Sequence, residues 1–324
     1  MKDGFGRSIE YLRISVTDRC NFRCVYCMPP RGLDWIPRDA VLTAAEIHAV
    51  VAQLAPLGLH RIRITGGEPT LRRDVCDVVA RIHSVAAVED IALSTNGVRL
   101  ERMASDLRSA GISRVNISVD SLRRDRIAAI ARRDLELDPI RVIHAAIDAG
   151  FDPVKINTVV VRGVNDDEVG TLARLTIELP VHVRFIELMP VGDMSDSEFE
   201  HVVPSDEVLD AVRAALGGLV PDVGPAPGNG PARYYRAPGA SGTVGVISPM
   251  THTYCSSCNR VRLTADGRLR TCLFGDHEVD LRTPLRAGLP LAALFARALA
   301  DKPREHELLQ LRTGGLRALS QTGG

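Results

Sequence analysis

The chain has 324 residues, 45% hydrophobic and 25% charged, proportions that allow one large core or two modest ones. Forty basic side chains balance forty acidic ones, so no bulk charge draws the protein to nucleic acid or to an anionic membrane, and any anion must be met by a local cluster. Met1–Glu10 lack the apolar centre of a secretion signal and no unbroken apolar run is long enough to span a bilayer, so a cytoplasmic protein is expected, whose seven cysteines stay reduced and available for metal or catalysis.

In chain order, β-branched runs at Tyr11–Thr17, Arg61–Thr65, Asp90–Thr95, Arg114–Val119, Val154–Val161 and Val181–Leu188 read as strands. Between them lie apolar residues at helical spacing, as at Ala44–Leu57, Asp74–Val85, Glu101–Ala110, Pro139–Ala149 and Asp166–Ile177. Thr43 and Glu46 match a capping box that starts the first helix. Six strand-helix units predict a parallel sheet with outer helices, a barrel or partial barrel, with its chemistry at the C-terminal strand ends, where Cys20, Gly66, Asn96, Ser121 and Met189 fall. The Pro-, Gly- and Ala-rich stretch Pro221–Pro238 reads as a loop or linker, dividing residues 1–220 from 221–324. Beyond it, Val261–Leu263 and Leu269–Leu273 form a predicted hairpin and Leu289–Ala300 an amphipathic helix. By composition the tail Lys302–Gly324 would fray.

Six cysteines fall into two triplets, and the seventh, Cys76, reads as a small apolar side chain in a helix. Cys20, Cys24 and Cys27 are spaced C-x3-C-x2-C on the loop after the first strand. Three thiolates on one tight loop can hold three irons of a 4Fe-4S cubane and leave the fourth open. A zinc site would show a fourth Cys or a His nearby, and none stands there in sequence. Gly66-Gly67-Glu68-Pro69 follows the next strand, and its glycines allow close approach of the backbone to a ligand. Cys255, Cys258 and Cys272 make a second triplet, open to two readings: a second cluster with a vacant iron, or half a zinc ribbon completed by His252.

The first triplet, with Tyr26 before its last cysteine, resembles the signature of the radical S-adenosylmethionine (SAM) superfamily. With the second triplet, Asn259-Arg260-Val261-Arg262 and the terminal Gly323-Gly324, the chain closely resembles the GTP 3',8-cyclase family. Arg13–Cys20, Arg61–Pro69, Val119–Leu122, Val154–Asn157 and Glu187–Pro190 extend the likeness along the chain. The resemblance implies an incomplete six-unit TIM-like (β/α)6 barrel whose C-terminal extension covers the open side and carries a second 4Fe-4S cluster. It implies a lyase of molybdenum-cofactor biosynthesis, forming 3',8-cyclo-7,8-dihydro-GTP from GTP: a 5'-deoxyadenosyl radical takes the C3' hydrogen, and the ribose radical attacks guanine C8.

Carried over residue by residue, the resemblance gives both cysteine triplets to the clusters, Tyr26, Gly67, Ser118 and Met189 to SAM, and Arg13, Arg63, Ser94, Lys155, Arg260, Val261 and Arg262 to GTP. Gly323 and Gly324 are the activity-bearing tail, entering the barrel. Ser94 stands where the family has Thr, with the hydroxyl retained. An external electron donor such as flavodoxin or ferredoxin, and a cyclic pyranopterin monophosphate synthase to consume the product, are the implied partners of a monomer or homodimer. Two other classes are kept open: a radical SAM enzyme acting on peptides, and a non-catalytic module with zinc in both triplets.

Overall fold

The computed structural model describes residues 1–189, 200–224, 230–306 and 317–323. Six parallel strands, β1 Tyr11–Ser15, β2 Arg61–Thr65, β3 Asp90–Thr95, β4 Arg114–Ser118, β5 Val154–Val160 and β6 Val181–Glu187, stand in sequence order. The helices α1 Ala44–Leu54, α2 Val75–His83, α3 Leu100–Ala110, α4 Arg124–Ala131, α5 Pro139–Asp148 and α6 Val169–Glu178 connect them. Each strand alternates: Leu12, Ile14, Ile62, Ile64, Val115 and Val183 enter the hydrophobic core, while Arg13, Arg63, Ser94, Asn116, Asn157 and Arg184 line the concave face. The capping box forms, with Thr43 Oγ1 accepting from Glu46 N at 3.2 Å and Glu46 Oε2 from Thr43 N at 2.8 Å. The stretch Arg38–Leu57 is long and apolar enough to pass for a membrane span by composition, but Ile47, Val50, Val51 and Leu54 of α1 are core side chains.

After α7 (Ser205–Leu216) the chain adds β7 Val220–Pro221, β8 Arg233–Arg236 and β9 Thr243–Ile247, then β10 Arg260–Leu263, β11 Arg268–Arg270 and β12 Glu278–Asp280. The helices α8 Arg282–Arg286, α9 Ala292–Ala300 and α10 Leu319–Thr322 follow. β6 does not return to β1. It pairs in parallel with β9, and β1 pairs in parallel with β10, giving one twelve-stranded sheet with β12 and β7 at its edges. The architecture is therefore a partial TIM-like barrel flanked on both sides by later strands. The stretch expected to be a linker contains β8, whose Tyr234 pairs with Gly245 of β9; proline and glycine on either side mask a strand of only four residues. The expected hairpin forms as β10 and β11, with Arg262 opposite Arg270 and Gly267 at φ +80° in the turn.

Candidate active site

The strand ends and the inner face enclose a cavity of about 280 Å³. Cys20, Cys24 and Cys27 line it from the loop after β1, and Arg13, Arg63, Arg184, Arg260 and Arg262 line it from the strands. The cysteine loop is docked by its backbone, Arg23 N to Ala131 O at 2.8 Å and Val25 N to Ile130 O at 3.0 Å, at the end of α4. Burial pushes the Cys20 thiol up to about 12 and the Cys27 thiol to about 11, and it raises Cys24 well above its ordinary value, with the like charge of Cys27 second. Thiols so placed become thiolates when a metal centre supplies the positive charge. No three His, Cys, Asp or Glu side chains among the described residues gather as the ligands of a single ion. A cubane fits better, because its thiolates attach to different irons and stand further apart.

The glycines after β2 prove to serve the chain itself as well as the cavity. A Cβ on Gly67 would lie 2.3 Å from Arg19 O, and one on Gly66, at φ +156°, 2.5 Å from Thr17 O. Gly67 N donates to Thr17 O at 2.7 Å and Glu68 N to Arg19 O at 2.8 Å, so this loop is zipped to the approach of the cysteine loop. Glu68 is buried, accepting from Asn96 N at 2.7 Å, Thr95 Oγ1 at 2.8 Å and Thr70 N at 3.0 Å. Burial raises its pKa against those bonds, which lower it. The Tyr26 hydroxyl donates to Asp120 Oδ2 at 2.5 Å, and Asp120 Oδ1 accepts from Val159 N at 2.9 Å, joining the cysteine loop to the ends of β4 and β5. Gly67, Ser118 and Met189 all line the cavity beside the first triplet.

On the strands that line the cavity, Arg13 stands in register with Arg262 of β10 and Arg63 of β2. Burial, then Arg262 and Arg63, hold the pKa of Arg13 well below its ordinary value; burial, then Arg260, bring Arg262 down to about 10. Three guanidiniums crowded in a neutral protein call for an anion. Arg63 donates to the Tyr11 hydroxyl and, at 3.1 Å, to Ser94 Oγ. Arg184, not foreseen from the sequence, donates from Nε and Nη2 to Asn157 Oδ1 at 2.8 and 2.5 Å. Its inward position on β6 is the signal that could have found it. Lys155 is 1% exposed and not among the lining residues; burial, then Arg184 and Arg63, lower its pKa to about 5. The Val261 side chain lies in the core on the other face of β10, not in the cavity.

The C-terminal tail does enter. Leu319 and Ser320 line the cavity, and the Gly323 carbonyl accepts from Arg13 Nε at 3.0 Å, Arg13 Nη2 at 2.8 Å and Arg262 Nη1 at 2.8 Å. Gly324 lies outside the described residues. Cys255 and Cys258 sit on a single turn before β10 and Cys272 follows β11. Their neighbours Tyr254, Arg260 and Leu273 line the same cavity, with the Arg260 guanidinium 4.8 Å from the Tyr254 ring centre. His252, the alternative zinc ligand, pairs instead with Asp206 at 3.1 Å. Cys76 packs against the core from α2.

Residues 14–176 match the family model of the radical SAM superfamily and residues 181–308 that of Molybdenum Cofactor Synthesis C. A GTP 3',8-cyclase of Pelotomaculum thermopropionicum is 49% identical over 327 residues, spanning 100% of both chains. One of Heliobacterium modesticaldum is 48% identical over 328 residues, again spanning 100% of both. Among solved structures, Streptococcus suis SuiB bound to S-adenosylmethionine superposes with a TM-score of 0.64 at 12% identity, covering 89% of this chain and 66% of that one, a likeness of fold alone. With a partial barrel, a cysteine triplet at its mouth and relatives alike from end to end, the chain belongs to the GTP 3',8-cyclase family of the radical SAM superfamily.

Proposed function

We propose that this enzyme converts GTP to 3',8-cyclo-7,8-dihydro-GTP, the first step of molybdenum-cofactor biosynthesis. The observation that carries the reading is one cavity lined both by three cysteines, from the loop after β1, and by five arginines, from the strands. In this reading Cys20, Cys24 and Cys27 hold one 4Fe-4S cluster, and Tyr26, Gly67, Ser118 and Met189 receive SAM. Arg13, Arg63, Ser94, Lys155, Arg260 and Arg262 hold GTP, joined by Arg184, and Val261 contributes through its main chain. When bound, the cluster and SAM supply the 5'-deoxyadenosyl radical that abstracts the C3' hydrogen.

The chain's own contribution is placement. Glu68 and Asp120 fix the loop that carries the thiols, and the arginines draw the triphosphate to the strands, turning the nucleoside toward the cysteines. Gly323 closes the cavity from the tail, which keeps water from reactive species, and Gly324, outside the described residues, is read as part of the same activity-bearing tail. Residues 1–220 act as the barrel unit and 221–324 as the extension, where Cys255, Cys258 and Cys272 hold a second cluster. A flavodoxin- or ferredoxin-like donor, a cyclic pyranopterin monophosphate synthase downstream, a cytoplasmic setting and a monomer or homodimer complete the reading.

Anaerobic turnover with GTP deuterated at C3' tests it. Deuterium in 5'-deoxyadenosine is expected. SAM cleavage without label would overturn GTP as substrate and favour a peptide. Absence of SAM cleavage, together with a colourless protein, would return the triplets to zinc.

A further inference from the structure

Of forty basic residues only three are lysines, Lys2, Lys155 and Lys302. Lys302 lies just past α9, is 3% exposed, and spends its ammonium on three acceptors: Cys258 Sγ at 3.6 Å, Arg260 O at 3.1 Å and Thr271 O. These belong to the two stretches that carry the second triplet, since Thr271 immediately precedes Cys272. The segment holding Lys302 is itself pinned by Arg7, which donates to Pro303 O at 2.6 Å, Arg304 O at 2.8 Å and Cys255 O at 2.7 Å. Arg260 adds a second cation, its Nη2 3.9 Å from Cys258 Sγ.

The two triplets sit in different surroundings, although Arg23 also stands beside Cys20, donating to its carbonyl at 2.7 Å. Acidic side chains, Glu68 and Asp120, stand near the first. At the second, two cations, Arg260 and Lys302, point their donors at the Cys258 sulfur. Filling the space beside Cys258 would not require an ammonium: an apolar side chain of like volume avoids the desolvation that a buried charge incurs. A cation hydrogen-bonded to a ligand sulfur, by contrast, favours the more negative, reduced form of a cluster.

We propose that Lys302 is the positioning and charge-compensating residue of the second triplet, tying Cys258 to the strand that leads to Cys272 and raising the reduction potential of the cluster held there. This rests on the two-cluster reading above.

Iron is first counted in the full chain after anaerobic reconstitution, with and without Cys20, Cys24 and Cys27 replaced by Ala. Iron lost completely with the first triplet would overturn the two-cluster reading, and this proposal with it. Where iron remains, redox titration followed by electron paramagnetic resonance compares the unmutated second cluster with Lys302→Met and Lys302→Arg. The methionine variant is expected to titrate at a lower potential and the arginine variant close to the unmutated protein. An unshifted methionine variant overturns the role of Lys302 and leaves the second cluster standing. If methionine costs the cluster altogether, the unmutated protein still decides: with three lysines in the chain, [15N]lysine labelling and pulsed resonance of the reduced second cluster should reveal a lysine nitrogen coupling. Its absence overturns the proposal.

Discussion

Arg13 and Arg262, neighbours in register on β1 and β10, converge on one acceptor, the main-chain carbonyl of Gly323. Strands far apart in sequence and the extreme tail thus meet at one point among the inward-facing arginines. Replacing either arginine with methionine removes a charge-assisted donor worth about 1.5–3 kcal/mol. GTP affinity should fall by about ten- to hundredfold, measured by anaerobic equilibrium dialysis. An unchanged Kd would leave the pair as anchors of the tail and nothing more.

Gly323 has φ +72°, and a Cβ there would lie 2.7 Å from Thr65 Cγ2. Gly323→Ala should therefore displace the tail and lower turnover by roughly a hundredfold, as small misplacements at an active site do, while iron content stays at the unmutated level. Adding Thr65→Ser removes the clashing methyl and should restore part of the rate. Full activity in the alanine variant alone would mean that the tail needs no such close approach.

Burial raises Asp120 from 3.8 to about 6, against the bonds from Tyr26 and Val159. Because the folded state holds this proton more tightly than the unfolded one, the associated stability is complete below pH 3.8 and is lost as pH rises through about 6. Asn mimics the protonated form at every pH. Asp120→Asn should leave Tm unchanged in acid and raise it near neutrality, by about 2 °C for each kcal/mol gained. Thermal scans across that window would show no divergence of the two proteins if the carboxyl were already ionised without cost.

Burial, then Arg184 and Arg63, lower the Lys155 pKa to about 5, which favours the neutral amine at pH 7. A triphosphate brought to the arginine wall reverses the local field and favours the ammonium. GTP binding should then take up about one proton, seen as a dependence of the calorimetric heat on buffer ionisation enthalpy. In Lys155→Met the uptake should vanish.

The six barrel strands were legible because β-branched runs alternate so regularly with helical spacing, and each begins where expected. β8 and β9 were less so: their burial depends on β6, not on any local pattern. At the site, the cysteines, Gly67 and the inward arginines could be read as motifs. The roles of Glu68, Tyr11 and Lys302 could not, even though Glu68 stands within a motif, since those roles consist of partners supplied by distant segments: Asn96 for Glu68, Arg63 for Tyr11 and Cys258 for Lys302. Val261 shows the reverse limit, a motif residue whose side chain points away from the cavity.

The pairing of β1 with β10 also bears on how such a chain comes to be made. Leu12 waits for Val261, and Val183 of β6 waits for Val244, before either flank of the core is covered. During synthesis from the N-terminus, the strands that carry the first cysteine loop must persist with open edges until most of the chain has left the ribosome. Contacts so remote in sequence fold slowly and leave edges exposed to aggregation. Insertion of the iron-sulfur cluster is therefore best timed late, after the second half has docked, and oxygen or shortage of iron would strike the nascent chain when it is least protected.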